Sequence, residues 1–339
     1  MLPPLILTPI YRRYLWGGRR FESAFGRRLA EPGPYAESWQ LVDRGDDQSI
    51  VAAGPLAGTS LGTLVRSHGR DLLGRHAPLA SFPLLFKFLD ACQDLSVQVH
   101  PDDERAAARG TPDLGKTEAW YVIDSLPGSR IYAGLRAGVT RDHLAEALRA
   151  GRCDDVIHAF PVHAGDCIFI PAGTVHAIGA GLLVAEIQQS SDVTFRLHDW
   201  NRVGPDGQPR PLHVEEGLDA TTRLGPVAPV SRRPTADPAA QRLVDCDYFS
   251  FDEVRPRGTW EVGGDDACHF VAVLSGRVGL EERWGLPPLG PGDTVLVPAS
   301  AGRQPLTATG DATLLRVALP ERPRPEARQT GVGAATRPL

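Results

Sequence analysis

The chain has 339 residues, with 36 Lys and Arg against 41 Asp and Glu, giving a net charge of −5. That length suffices for two domains or one large β or α/β unit. The mildly acidic balance offers no basic surface for nucleic acid or anionic lipid, and no apolar run approaches the roughly 18 residues of a transmembrane helix. Leu2 to Thr8 precede Arg12 and Arg13, the reverse of the charge order in a secretory signal. Five scattered cysteines without a CxxC fit reduced thiols in the cytoplasm. High Gly and Pro content favours turns and short strands over a helical bundle.

In chain order, residues 1–59 read as irregular and short-strand material, with turns at Gly17-Gly18, Pro32-Gly33-Pro34 and Gly45. Ser60 is placed to cap a helix carrying Leu61, Leu64 and Val65 toward Leu72-Leu73, with an interruption at Gly69. Strands are expected at Phe86–Leu89, Leu95–His100, Trp120–Ile123 and Arg130–Tyr132. Thr140 to Ala150 is the clearest helix, capped by Thr140 and ended by Gly151. Strands return at Cys167–Ile170, Leu182–Ile187 and Val193–Leu197, and a short helix is expected to begin at Pro211. The stretch 223–240 reads as a linker, strands resume after Tyr248, and residues 320–339 read as a disordered tail.

One unit occurs twice. Gly165-Asp-Cys-Ile-Phe-Ile-Pro-Ala172 matches Gly292-Asp-Thr-Val-Leu-Val-Pro-Ala299, and upstream Trp120–Ile123 can be laid on Phe270–Val273. The first copy then carries extra residues about the length of the Thr140 helix. The reading is mainly β: two small barrels or jelly rolls with a helical insertion in the first. The boundaries are 1–222 for the N-terminal segment and first barrel and 241–319 for the second.

Strand alternation puts Ser96, Gln98 and His100 on one face and Val97 and Val99 on the other. Three polar groups in a row are costly to bury unless something binds them. Lys116 and Glu118 share a face in the same way, and His176 follows the repeated Gly-Asp strand. Gln98, His100, Glu118 and His176 make a plausible set for a divalent first-row ion, zinc first. Spacing alone leaves open that they are unconnected polar residues. The second copy has Arg303 in place of His176 and is expected to be metal-free. Only two of the 36 basic residues are lysines, Lys87 and Lys116. A lysine kept in so Arg-rich a chain suggests a need for a compact, titratable ammonium.

Several segments together resemble type I mannose-6-phosphate isomerases, in their short bacterial form, within the cupin superfamily. They are Trp16-Gly-Gly18, Glu37-Ser-Trp39, Phe86 to Ala91, Leu95 to Asp103, Gly115 to Tyr121, Pro171 to Ala177 and Glu186 to Trp200. The resemblance implies two cupin barrels and one Zn2+ held by Gln98, His100, Glu118 and His176. It implies an aldose–ketose isomerase interconverting mannose 6-phosphate and fructose 6-phosphate through an enediol. Lys116 and Arg196 then act in the active site with Asp192 close by, while Ser96 and Lys87 match motif positions and are assigned to substrate binding. Either Lys116 or a carboxylate such as Asp192 could be the base. Some larger relatives carry a histidine beside the motif lysine; here Gly115 stands there, so a mechanism using that histidine is excluded. The expected partner is a small sugar phosphate, with no nucleic acid or membrane, for a monomer or weak homo-oligomer. Two other readings compete: an iron-dependent cupin oxygenase using the two histidines and Glu118, and a sugar-phosphate-binding cupin without turnover.

Overall fold

The computed structural model describes residues 1–110, 113–204 and 207–321. Most of the expected tail lies outside the described residues. The first unit is built from β1 (Ile10–Arg12), β2 (Glu37–Leu41), β3 (Leu84–Ala91), β4 (Val97–Val99), β5 (Glu118–Ser125), β6 (Arg130–Leu135), β7 (Ile157–Pro161), β8 (Cys167–Ile170), β9 (His176–Ile178), β10 (Leu182–Gln189) and β11 (Phe195–His198). They form two sheets, ordered β8-β5-β10-β3-β2-β1 and β7-β6-β9-β4-β11. The second unit pairs β12 (Arg233–Pro234), β13 (Ala240–Asp245), β14 (Ser250–Val254), β15 (Thr259–Val262), β16 (His269–Ser275), β17 (Val278–Gly279), β18 (Thr294–Val297), β19 (Gln304–Ala308) and β20 (Thr313–Ala318). Its sheets run β12-β13-β14-β20-β16-β18 and β15-β19-β17. The mainly β, cupin-type double barrel expected from the repeat is therefore what the chain folds into.

The two six-stranded sheets lie against one another. β3 and β10 are buried along their whole length, as strands covered on both faces must be. One face of β3 and its neighbours, with Phe86, Phe88, Ala185 and Ile187, shares a core with Phe251, Phe270 and Val317 of the second unit. Phe86 and Phe270 have ring centroids 4.8 Å apart. The opposite face, with Leu89, Trp120, Val122 and Val184, closes the interior of the first barrel.

The helices are α1 (Arg20–Phe25), α2 (Leu61–Leu73), α3 (Asp103–Ala108), α4 (Arg141–Arg149) and α5 (Val214–Ala220). Ser60 Oγ accepts from Thr63 N at 3.2 Å to cap α2, which breaks at His68, one residue before Gly69. Thr140 and His143 form a capping box on α4, inserted between β6 and β7. α5 starts at Val214 rather than Pro211. His213 N donates to Arg196 O at 2.7 Å and Arg196 N donates to His213 Nδ1 at 3.2 Å, so 211–213 stay tied to β11. Strand pairing in the second unit also resumes earlier than Tyr248, at β12 and β13. The stretch 223–240 is bonded to the first barrel by Val227 N to Ala133 O and Val230 N to Cys167 O.

The repeat is real, but its upstream register is one residue different from the expected one. Trp120 lies opposite Ile168, and at the equivalent place in the second unit Val271 lies opposite Val295. Trp120 thus corresponds to Val271 and not to Phe270. A one-residue slip exchanges the two faces of a strand, and Phe270 does face the shared core while Trp120 faces the barrel interior. Arg303 is exposed and pairs with Glu261 at 3.2 Å.

Candidate active site

Two sheets converge on one buried polar centre in the first barrel. In the five-stranded sheet His176 on β9 lies directly opposite Gln98 on β4, which lies directly opposite Arg196 on β11. Directly opposed residues in an antiparallel pair point to the same side, so the three form a row facing the interior. His100 follows β4 immediately. From the other sheet Glu118 enters at the start of β5, with Lys116 two residues before it. His100, Glu118 and His176 are almost wholly buried, and their ligand atoms all lie within 4.8 Å of one another. Among the described residues this is the one such group of metal-binding side chains.

The hydrogen bonds aim these groups inward. His100 Nδ1 donates to Val193 O at 2.8 Å and His176 Nδ1 donates to Thr174 O at 2.9 Å. Each imidazole therefore turns its Nε2 lone pair toward Glu118, at 3.5 Å to Oε2 and 3.3 Å to Oε1 respectively. Burial, with neighbouring cations, keeps both rings neutral: His100 is pushed well below its ordinary value and His176 to about 3. Bonds from ring nitrogens to backbone carbonyls fix metal-ready tautomers in this way. Gln98 Nε2 stands 3.3 Å from His176 Nε2, and turning the amide over brings its oxygen to the same place.

The residues fit a metal. Two neutral imidazoles and a carboxylate, with an amide beside them, are a donor set for a divalent first-row ion. Glu118 Oε2 is buried without a well-directed hydrogen bond, although Lys116 Nζ lies 3.0 Å away. Lys116 Nζ also lies 3.1 Å from His100 Nε2.

Arg196 is half-buried, its Nε 3.4 Å from Ser96 Oγ and its Nη1 donating to Pro211 O at 3.0 Å. Among the described residues it makes no ion pair, because Asp199 is taken by Arg202 and Arg210. Burial, and then Arg210, lower its pKa from the usual arginine value. Asp192 is exposed, one residue before the carbonyl that orients His100. Lys87 is buried on the interior face of β3, 3.2 Å from Glu186 and 3.6 Å from Glu37. Burial alone would lower its pKa, but the two carboxylates outweigh that and hold it charged. Glu37, Trp39 and Glu186 complete this polar layer, and Trp39 Nε1 donates to Glu37 at 2.6 Å. All three lie in segments that carry the family resemblance, but sequence reasoning gave them no role. The signal was available in β10, where Glu186 interrupts an apolar run and so needs a buried partner.

Comparison with known proteins matches residues 5–119 to the family model for the catalytic domain of type I phosphomannose isomerase. The chain is 35% identical over 281 residues to the probable mannose-6-phosphate isomerase GmuF of Bacillus subtilis, covering 82% of this chain and 86% of that one. It is 33% identical to the mannose-6-phosphate isomerase ManA of the same organism, covering 88% and 94%. The crystal structure of the mannose 6-phosphate isomerase from Bacillus subtilis superposes with a TM-score of 0.84 at 30% identity, over 93% of this chain and 99% of that one. With a related sequence along most of its length and the same double barrel, the chain belongs to the type I mannose-6-phosphate isomerase family and is an isomerase.

Proposed function

We propose that the chain interconverts mannose 6-phosphate and fructose 6-phosphate through an enediol, with one Zn2+ held by Gln98, His100, Glu118 and His176. The observation that carries this is the buried trio with both Nε2 atoms turned on Glu118 and Lys116 in contact with two of its members. A bound divalent ion supplies stabilisation of negative charge developing on the sugar oxygens.

The chain's own groups do the rest. Aldose–ketose conversion moves a proton from C2 to C1 and a second proton between oxygens. Lys116, buried beside Glu118, is the candidate base: its Nζ takes the proton from C2 and returns the same proton to C1. Asp192, exposed at the rim, is the alternative acceptor for the C2 proton. Arg196, which makes no ion pair among the described residues and lies directly across from Gln98, binds the phosphate with Ser96 at its side. Lys87, locked between Glu186 and Glu37, presents a fixed charge layer to the substrate hydroxyls. No helix among the described residues is long and apolar enough to cross a membrane, and all five cysteines are free. The free cysteines fit a reducing compartment, and we read the chain as a cytoplasmic enzyme, a monomer or weak homo-oligomer, acting on a sugar phosphate.

A coupled assay with mannose 6-phosphate and with free mannose tests the assignment. The phosphorylated sugar should give by far the higher kcat/KM. Comparable values for the two would remove Arg196 from phosphate binding and the sugar phosphate from the reading.

A further inference from the structure

We propose that Asp103, held from the second barrel by Tyr248, is a positioning residue for the segment carrying Lys116 and Glu118. The inference rests on the active-site reading above. Residues 115–117 precede β5 without strand partners of their own, and their three backbone N–H groups are each fixed from outside the segment. Gly115 N donates to Asp103 Oδ1 at 2.9 Å, and Lys116 N donates to Pro101 O at 3.0 Å. Thr117 N donates to Gln189 Oε1 at 2.8 Å. Gln189 is itself oriented by Asp103, because its Nε2 donates to the same Oδ1 at 2.9 Å. One carboxylate oxygen thus sets two of the three bonds, directly at Gly115 and through Gln189 at Thr117.

The other oxygen faces the second barrel: Tyr248 Oη donates to Asp103 Oδ2 at 3.0 Å. Tyr248 lies in the turn between β13 and β14, remote in sequence from the metal ligands. The approach is close enough to specify the residue before the lysine. A Cβ on Gly115 would stand 2.4 Å from Asp103 N and 2.5 Å from Asp102 C, both backbone atoms that cannot step aside. The same contact that excludes a side chain at position 115 brings the Asp103 carboxylate within reach of its N–H. Lys116 Nζ has two partners at about hydrogen-bond distance, so a small rotation of this segment moves the ammonium off Glu118 and His100. Displacements near 1 Å at reacting groups cost on the order of 10²-fold in rate. The second barrel, which brings no metal ligand, therefore contributes to catalysis by bracing the first.

The test is a double-mutant cycle on the metal-loaded full chain, read as kcat and KM for mannose 6-phosphate and as metal content. Asp103→Ala should lower kcat about 10–100-fold with KM changed far less, and about one equivalent of metal should remain. Asp103→Asn keeps an acceptor for Gly115 and Gln189 and can donate to Tyr248 Oη, so kcat should return to within about 3-fold of the parent. Tyr248→Phe should cost about 3–10-fold in kcat alone and nothing further in the Asp103→Ala background, the non-additivity of groups acting through one another. Parent kcat in Tyr248→Phe, or full additivity of the two losses, overturns the proposal. Should Asp103→Ala not fold, Asp103→Asn and Tyr248→Phe still decide it. Lys116→Ala separates the two levels. If it keeps parent activity, the active-site reading falls and this inference with it; if it is inactive while Tyr248→Phe matches the parent, only the positioning role fails.

Discussion

His176 is an imidazole with its Nδ1 proton committed to a backbone carbonyl and its basicity depressed to about 3 by burial. The sign of its pH effect follows. In the unfolded chain it protonates near 6.5; in the folded chain it does not until about 3. Stability is therefore complete above about pH 6.5 and falls progressively as pH drops toward 3. The melting temperature of chelated protein should decline over that window, with a shallower slope in His176→Gln; equal slopes would show that His176 is not buried as a neutral ring. Lys116 is the other residue on which the proposed reaction turns. Lys116→Arg keeps charge but changes shape and titration, and kcat should fall roughly 10²–10⁴-fold with the metal retained if Lys116 transfers protons. A rise in KM with little change in kcat would assign it to phosphate instead. Both residues were legible in the sequence, Lys116 because lysine is so rare here, His176 because it follows the repeated Gly-Asp strand. Glu37 and Glu186 were named in motif segments but given no role, because a single acid within an apolar strand looks like a patterning error until its partner Lys87 is found across the sheet.

At the scale of elements, the site is a product of register. Gln98, His176 and Arg196 meet because three strands place them directly opposite one another. Alternation within β4 predicted the shared face of Ser96 and Gln98, but not which neighbouring strands would supply the rest. The one-residue misregistration of the repeat has the same origin: the apolar strings Trp-Tyr-Val-Ile and Phe-Val-Ala-Val are buried on both faces, so hydrophobicity carries no phase. α1 and α3 went unanticipated because each is only six residues long, too short for a helical period to show. Longer α2 was readable through Ser60 and its apolar face. Ser60→Ala should cost about 0.5–2 kcal/mol of stability, the usual range for an N-cap, and leave kcat unchanged. A thermal melt and one assay check this, and a loss of activity would tie α2 to the site in a way its position does not. The loop before β9 is more demanding. Gly173 has φ of +85°, and a Cβ there would meet Thr222 Oγ1 at 2.0 Å, which explains why the Pro-Ala-Gly turn leading to His176 keeps its glycine.

Over the whole molecule, the two barrels have diverged in charge at equivalent places. The interior row Trp39–Lys87–Glu186–Trp120 of the first unit corresponds, strand for strand, to Arg242–Asp252–Arg316–Val271 of the second. The central ion pair is inverted, with Arg316 Nη2 2.6 Å from Asp252. Two barrels and the copy carrying the His100–Glu118–His176 cluster could be read from the repeat and the histidine; their back-to-back packing could not, since it depends on side chains far apart in sequence. Phe86 tests that interface. Phe86→Ala should destabilise the fold by about 3–5 kcal/mol through the cavity it leaves, and denaturant unfolding measures it. A loss below about 1 kcal/mol would mean the barrels do not depend on this core.

The central claim is that the His100–Glu118–His176 centre holds the metal on which isomerisation depends. It is tested most directly by stripping the purified protein with a chelator and titrating Zn2+ back while following conversion of mannose 6-phosphate to fructose 6-phosphate. Activity should be lost on stripping and return linearly to an endpoint near one equivalent per chain, and a His100→Ala, His176→Ala double variant should recover none of it. Full turnover by the stripped protein, or recovery in the double variant, would contradict the account.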